Sequence, residues 1–320
     1  MATAPSPLWI IVLVVAIVIA AGGVAAFLYY HDKVTPAAGP RSIQLGDNVT
    51  VNYIGLFGSG PEQGKVFDTS LYSVATDSIA YPKSLEYHAR GPAPSNYSTL
   101  DVHVGPHTPS SGYSVGGHSF ISVVTGFWQG LVGHPPNQTI AVDVPPTLGY
   151  GPVNPACLAQ RPLSFSLPVV RTEAGTAFAK EFPGVLGSTG TSFTHPHFGW
   201  PVLILSANAS FVTYENLASP GWSASPAGWP VTVTSVASTP NGSGSITLVN
   251  DLYPSQAGLL VGNDYLGTGP CTSQSAGKFI VSAVDLGAGT YTENFNSEVQ
   301  GQTLIFLVTI VDVFPGPGTG

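Results

Sequence analysis

The stretch Ala141–Gly151, AVDVPPTLGYG, decides how the chain is read. An alternating run up to Val144 meets two prolines, Pro145 and Pro146, and then Tyr150 between two glycines. Proline has no N–H for a strand ladder, and glycine reaches backbone conformations closed to other residues. The strand therefore stops, and the loop after it is free to swing Tyr150 across the end of a sheet.

Working outward, the same alternation recurs. In GDNVTVNYIGLF, from Gly46, the residues Val49, Val51 and Tyr53 alternate with polar or small ones, as in a half-buried strand. KVFDTS follows a glycine-rich turn as a hairpin partner, and LDVHVG, Leu100 to Gly105, alternates again. In SVVTGFWQGLVG the period changes: Val124, Phe127, Trp128 and Leu131 share the i, i+3, i+4, i+7 spacing of one helix face. QTIAVDV and the strongly apolar TLIFLVTIVDV, Thr303 to Val313, add two more strands. One short helix among antiparallel strands predicts an α+β class for this part of the chain.

Composition narrows the function classes. The 320 residues are 43% apolar and only 8% charged, with a net charge of −8, so there is room for more than one core. Nine scattered Lys and Arg cannot supply the basic cluster that phosphate binding needs, which excludes nucleic acid as a partner. High Gly, Pro, Ser and Thr content beside short β-branched runs reads as a β-rich chain with many turns.

Leu8 to Leu28 carries no charged side chain and is about the 20 residues that a helix needs to cross hydrocarbon. It reads as a transmembrane anchor over residues 1–30, in preference to a cleaved signal peptide, because its apolar run is long and no basic segment precedes it. Residues 31–40 read as a linker. Lys33 and Arg41 weakly favour an inward C-terminal side, whereas acceptor sequons at Asn48, Asn96, Asn137, Asn208 and Asn241 point outward. The expectation is a single-pass cell-membrane protein with extracytoplasmic folded parts. Cys157 and Cys271 then read as one long-range disulfide rather than two buried thiols, and no Cys/His spacing suggests a metal.

The series Val51-Asn-Tyr-Ile-Gly55, Phe67-Asp-Thr-Ser70, Val123-Val-Thr-Gly-Phe127, Val144-Pro-Pro-Thr-Leu-Gly-Tyr-Gly151 and Thr303-Leu-Ile-Phe306 resembles the FKBP-type peptidyl-prolyl isomerases in order and spacing. The likeness covers roughly Arg41 to Pro152 plus Ser297 to Phe314. The long interval between those parts is similar to the SlyD-like subclass, which carries an inserted chaperone domain there. The resemblance implies an FKBP-like antiparallel sheet wrapped on one short helix, in a discontinuous isomerase domain of residues 41–153 plus 297–314, with a β-rich insert of residues 154–296. It also implies a pocket of Tyr53, Phe67, Asp68, Val123, Val124, Phe127, Tyr150 and Phe306. In it Tyr150 donates to the carbonyl before the substrate proline, Phe127 is the floor where the family usually has Trp, and Asp68 takes the buried acidic position. Leu100 stands where an aromatic wall is common, which puts that wall in doubt. No cofactor or metal is implied. The implied partners are unfolded or proline-containing polypeptides and macrolide-type ligands; the alternative is a non-catalytic binding or holdase module.

Within the insert, Gly199-Trp-Pro-Val202 is echoed by Gly228-Trp-Pro-Val231, each opening a strand–turn–strand unit, which predicts two hairpins in one small sheet. Gly112-Tyr-Ser114-Val-Gly116 fits a nucleophile-elbow pattern but lies in a Ser/Gly/Pro loop, without the strand and helix that chemistry requires. His195-Pro-His197 reads as a plain loop, and Glu173 and Glu181 as a solvated helix face rather than an acid/base pair.

Overall fold

The computed structural model describes residues 41–106, 114–115, 117–238, 243–265, 270–271 and 277–316. Strands dominate it. In chain order they are β1 (Asn48–Phe57), β2 (Val66–Thr69), β3 (Leu100–His103), β4 (Ser114–Val115), β5 (His118–Ser119), β6 (Thr139–Val144), β7 (Leu158–Pro162), β8 (Ser164–Pro168), β9 (Val170–Ala174) and β10 (Ser192–Thr194). There follow β11 (Pro201–Ala207), β12 (Phe211–Asn216), β13 (Ser223–Ala224), β14 (Val231–Ser238), β15 (Gly244–Asn250), β16 (Val261–Asn263), β17 (Lys278–Asp285), β18 (Thr290–Asn294) and β19 (Leu304–Phe314).

A five-stranded antiparallel sheet joins the two ends of the described chain. β19 pairs with β1 along one edge and with β6 on its other side. The free edge of β1 is shared, its first half by β3 and its second by β2. Alternation explains the inner face: Val49, Val51, Tyr53 and Phe57 of β1 and Leu304, Phe306, Val308 and Ile310 of β19 are all buried in one apolar cluster. The helix Thr125–Leu131 buries Phe127 and Leu131 against that cluster. Gly126 and Gly130, one turn apart, face β6. A Cβ on Gly130 would lie 2.3 Å from Val142 Cγ1, so only glycine lets the helix sit this close.

The intervening segment builds three four-stranded antiparallel sheets, ordered β10-β11-β12-β9, β13-β14-β15-β8 and β16-β17-β18-β7. Each has three consecutive strands and is completed by one of β7, β8 and β9, which follow each other at a six-residue interval. The carbonyls of Cys157, Leu163 and Val169 accept the N–H groups of Phe295, Asn250 and Asn216 at 2.9, 2.8 and 2.7 Å, one per sheet. Each central strand carries a register shift at the same place, between Ile204 and Ser206, Val233 and Ser235, and Val281 and Ala283. The three sheets share one apolar core that includes Trp200, Trp229 and Phe279. Cys157 and Cys271 are joined by a disulfide.

These observations correct two expectations, the fold class and the single sheet of the repeat, and do not reach the membrane anchor. The class is mainly antiparallel β rather than α+β, because the described α-helices are short, spanning 5, 7 and 7 residues, while the insert adds three sheets. Among the described residues no helix is long and apolar enough to cross a membrane. Here apolar residues alternate with polar ones and are interrupted by Gly and Pro, a pattern that favours short strands; Leu8 to Leu28 and the linker lie outside the described residues. The two Gly-Trp-Pro-Val units belong to different sheets rather than one, and a third unit follows them.

Candidate functional site

The FDTS stretch is fixed to β1 by its own hydroxyls. Thr69 Oγ1 donates to the Tyr53 carbonyl at 2.8 Å, and Ser70 Oγ accepts the Tyr53 N–H at 2.9 Å. This register sets Asp68 opposite the Tyr53 phenol, whose hydroxyl donates to Asp68 Oδ2. On the preceding residue, Phe67 lies over Gly55, where a Cβ would come within 2.6 Å of its ring.

Four rings from four elements meet beside this pair. Phe127 and Phe306 are edge-to-face at 4.9 Å between centroids, Phe67 and Phe306 at 5.6 Å, and Tyr53 and Phe127 at 6.2 Å. Phe127, Phe306 and Tyr53 are buried, which makes them the floor, whereas Phe67 keeps some exposure. Val123 and Val124 pack partly buried against the same cluster, as does Leu100 of β3. The Val124 carbonyl accepts the Phe127 N–H at 3.0 Å and so opens the helix.

Tyr150 sits past the short 3-10 turn Pro146–Leu148 and is half exposed. Its phenol is raised above the usual tyrosine value by partial burial and then by the charge of Asp68. Burial, reinforced by Asp68, pushes the Tyr53 phenol up as well.

Two features depart from the sequence reading. Asp68 is not buried: its side chain is 40% exposed and paired with Arg90, whose Nη2 lies 3.1 Å from both carboxylate oxygens. Arg90 also donates to the Tyr53 hydroxyl and stands 5.7 Å from the centre of that ring. Its place in a loop, 22 residues beyond Asp68, gives no sequence signal. The sequon at Asn48 is closed to modification in the folded protein because Asn48 is fully buried and bonds His103. Asn96, Asn137 and Asn208 are exposed, and Asn241 lies outside the described residues. The Gly112 to Gly116 pattern lies largely outside them too.

The discounted residues of the insert come together. Arg171 Nε is 2.7 Å from Glu173 Oε1 and its Nη1 is 3.2 Å from Glu181 Oε2, while His195 Nε2 is 4.0 Å from Glu181 Oε1. Tyr214 donates to Glu173 Oε1. Glu173 is buried rather than solvated, because it sits on β9 facing Tyr214 and not on the helix. Among the described residues no group of three or more His, Cys, Asp or Glu is arranged to hold a metal ion. Comparison with known protein families and with curated proteins finds no match.

Proposed function

We propose that the chain is a peptidyl-prolyl cis–trans isomerase with an inserted module that holds unfolded polypeptide, as its resemblance to the FKBP-type enzymes suggests. The observation that carries this reading is the convergence of Tyr53, Phe67, Phe127 and Phe306 with Asp68 and Tyr150 on one side of the five-stranded sheet. The chemistry needs no covalent step. Rotation about an X-Pro amide must cross ~18–20 kcal/mol, because resonance holds the ground state planar. An aromatic cup favours the twisted amide, which is less polar, and each 1.36 kcal/mol of preference is tenfold in rate. The Tyr150 hydroxyl donates to the substrate carbonyl, Phe127 carries the proline ring, and Val123 and Val124 line the wall.

The disulfide supports an oxidising, extracytoplasmic compartment. One observation favours a second reading, a binding module without turnover: Arg90 lies against both Tyr53 and Asp68 and occupies space that a substrate carbonyl would need. A proline-limited refolding assay with the full-length protein separates the two. Acceleration of the slow phase, lost in Phe127→Ala, is the expected result; an unchanged slow phase with saturable binding of proline peptides establishes the binder.

A further inference from the structure

The three sheets of the insert provide an internal comparison. By register, Tyr214 of the first sheet corresponds to Leu248 of the second and Glu293 of the third, and Glu173 corresponds to Leu167 and Arg161. In the second sheet these positions are apolar. In the third, both Glu293 oxygens are satisfied, Oε2 by Arg161 Nε at 2.8 Å and Oε1 by Tyr291 at 3.1 Å. The first sheet alone differs: Glu173 Oε1 takes both Arg171 and Tyr214, while Oε2 is buried with no partner. A buried acceptor left unpaired is costly and rare.

That residue lines a cavity of about 400 Å³, the size of a small-molecule site. The helix Gly175–Glu181, which follows β9 directly, supplies Glu181 and Lys180 to its wall. His195 and the rings of Tyr214 and Tyr265 complete it.

We propose that this cavity binds a neutral, polyhydroxylated ligand, a sugar ring. The charges of Arg171 and Lys180 balance those of Glu173 and Glu181, so neither an anion nor a cation is selected. An ammonium would satisfy Glu173 Oε2 but add a positive charge beside Arg171. A hydroxyl donates to a carboxylate and accepts from a guanidinium or phenol, so a ring of hydroxyls matches a wall that mixes both kinds of group. The C–H face of such a ring packs on the partly exposed ring of Tyr265, since Tyr214 is fully buried and reaches the wall only through its edge. His195 is buried and neutral and offers either role through its tautomer.

The test is saturation-transfer NMR and titration calorimetry on the full-length protein with a panel of neutral mono- and disaccharides, arginine methyl ester serving as the cationic control. Saturable binding of at least one sugar is expected at ~10 mM or below. Glu173→Gln, which removes the charged acceptor, should weaken it about tenfold. Tyr265→Ala, a partly exposed side chain, should weaken it at least ~3-fold through lost ring contact and serves if the buried variant does not fold. The proposal is overturned if no sugar binds, if the arginine ester binds in preference, or if Tyr265→Ala and a folded Glu173→Gln both leave sugar affinity unchanged.

Discussion

Tyrosine, carboxylate and arginine meet three times in this chain, as Tyr53–Asp68–Arg90 on the five-stranded sheet and as Tyr214–Glu173–Arg171 and Tyr291–Glu293–Arg161 in the insert. The carboxylate of the first is 40% exposed, and those of the other two 6%. An exposed pair contributes little to stability, whereas a buried one becomes a liability once a partner is lost. The same trio is thus reachable by solvent on the five-stranded sheet and enclosed in the insert, where that of Glu293 is fully satisfied and that of Glu173 borders the cavity.

The sharpest break of this comparison is at the satisfied buried trio. Glu293→Ala takes the bonded carboxylate from Arg161 and the acceptor from the buried Tyr291 hydroxyl, and should cost about 3 kcal/mol of unfolding free energy. Denaturant titration checks it. A loss near the value of an exposed pair, below ~1 kcal/mol, would remove the distinction between the two regions.

A pH scan sharpens the contrast from the side of the cavity. Burial, helped by His197 and Arg171, holds His195 down to about 4. The unfolded chain, with an ordinary imidazole near ~6.5, therefore binds the proton first as pH falls. Stability is unaffected above about 6.5, declines between that value and about 4, and the full loss is on the order of 3 kcal/mol. His195→Gln should flatten that limb of the thermal-stability profile. A profile that stays equally steep in the variant would place the titration elsewhere.

Much of the five-stranded sheet was legible in the sequence because its signals are local. Alternation in β1 put Val49, Val51 and Tyr53 on one face, and the helical spacing of Phe127 and Leu131 named the side chains that are buried. The insert was read less well. Its first two repeats announce themselves through Trp200 and Trp229, whose indole N–H groups donate to Asn216 and Asn250 at 3.0 Å each. The third has Gly277 and Phe295 at those positions, so the repeat is kept in backbone register but lost in side chains. β7, β8 and β9 hide for a different reason: each has only five residues, and each pairs with a strand far along the chain. Arg90 and the grouping of Glu173, Glu181 and His195 arise from loops and long-range pairing, which local periodicity does not record.

The close contact of helix and sheet beneath the cup gives a smaller effect. Gly130→Ala brings a methyl within 2.3 Å of Val142 Cγ1, and relief requires the helix to move outward. A loss of about 1–3 kcal/mol is expected. Since Phe127 lies on the same helix, the proposed isomerisation should fall with it, whereas the proposed sugar binding in the insert should not. Parallel loss of both would mean that the two regions fold as one cooperative body rather than as separable functions.

The smallest stability effect belongs to the exposed trio itself, and there the comparison becomes a statement about function. Arg90 pairs with a 40%-exposed carboxylate, so Arg90→Ala should change unfolding free energy by less than ~1 kcal/mol. Its removal takes one partner each from the Tyr53 hydroxyl and the Asp68 carboxylate, which stay bonded to each other, and clears the face of the Tyr53 ring. If the cup is an isomerase site, the rate on a proline tetrapeptide should change several-fold while the melting temperature barely moves. Tyr150→Phe, on a half-exposed side chain, should likewise lower that rate by about the value of one hydrogen bond, ~1 kcal/mol or a few-fold, with stability unchanged. Were both variants to leave rate and stability untouched, Tyr53–Asp68–Arg90 would be a surface clasp between β1, β2 and the loop that carries Arg90, as structural as the trio of Glu293.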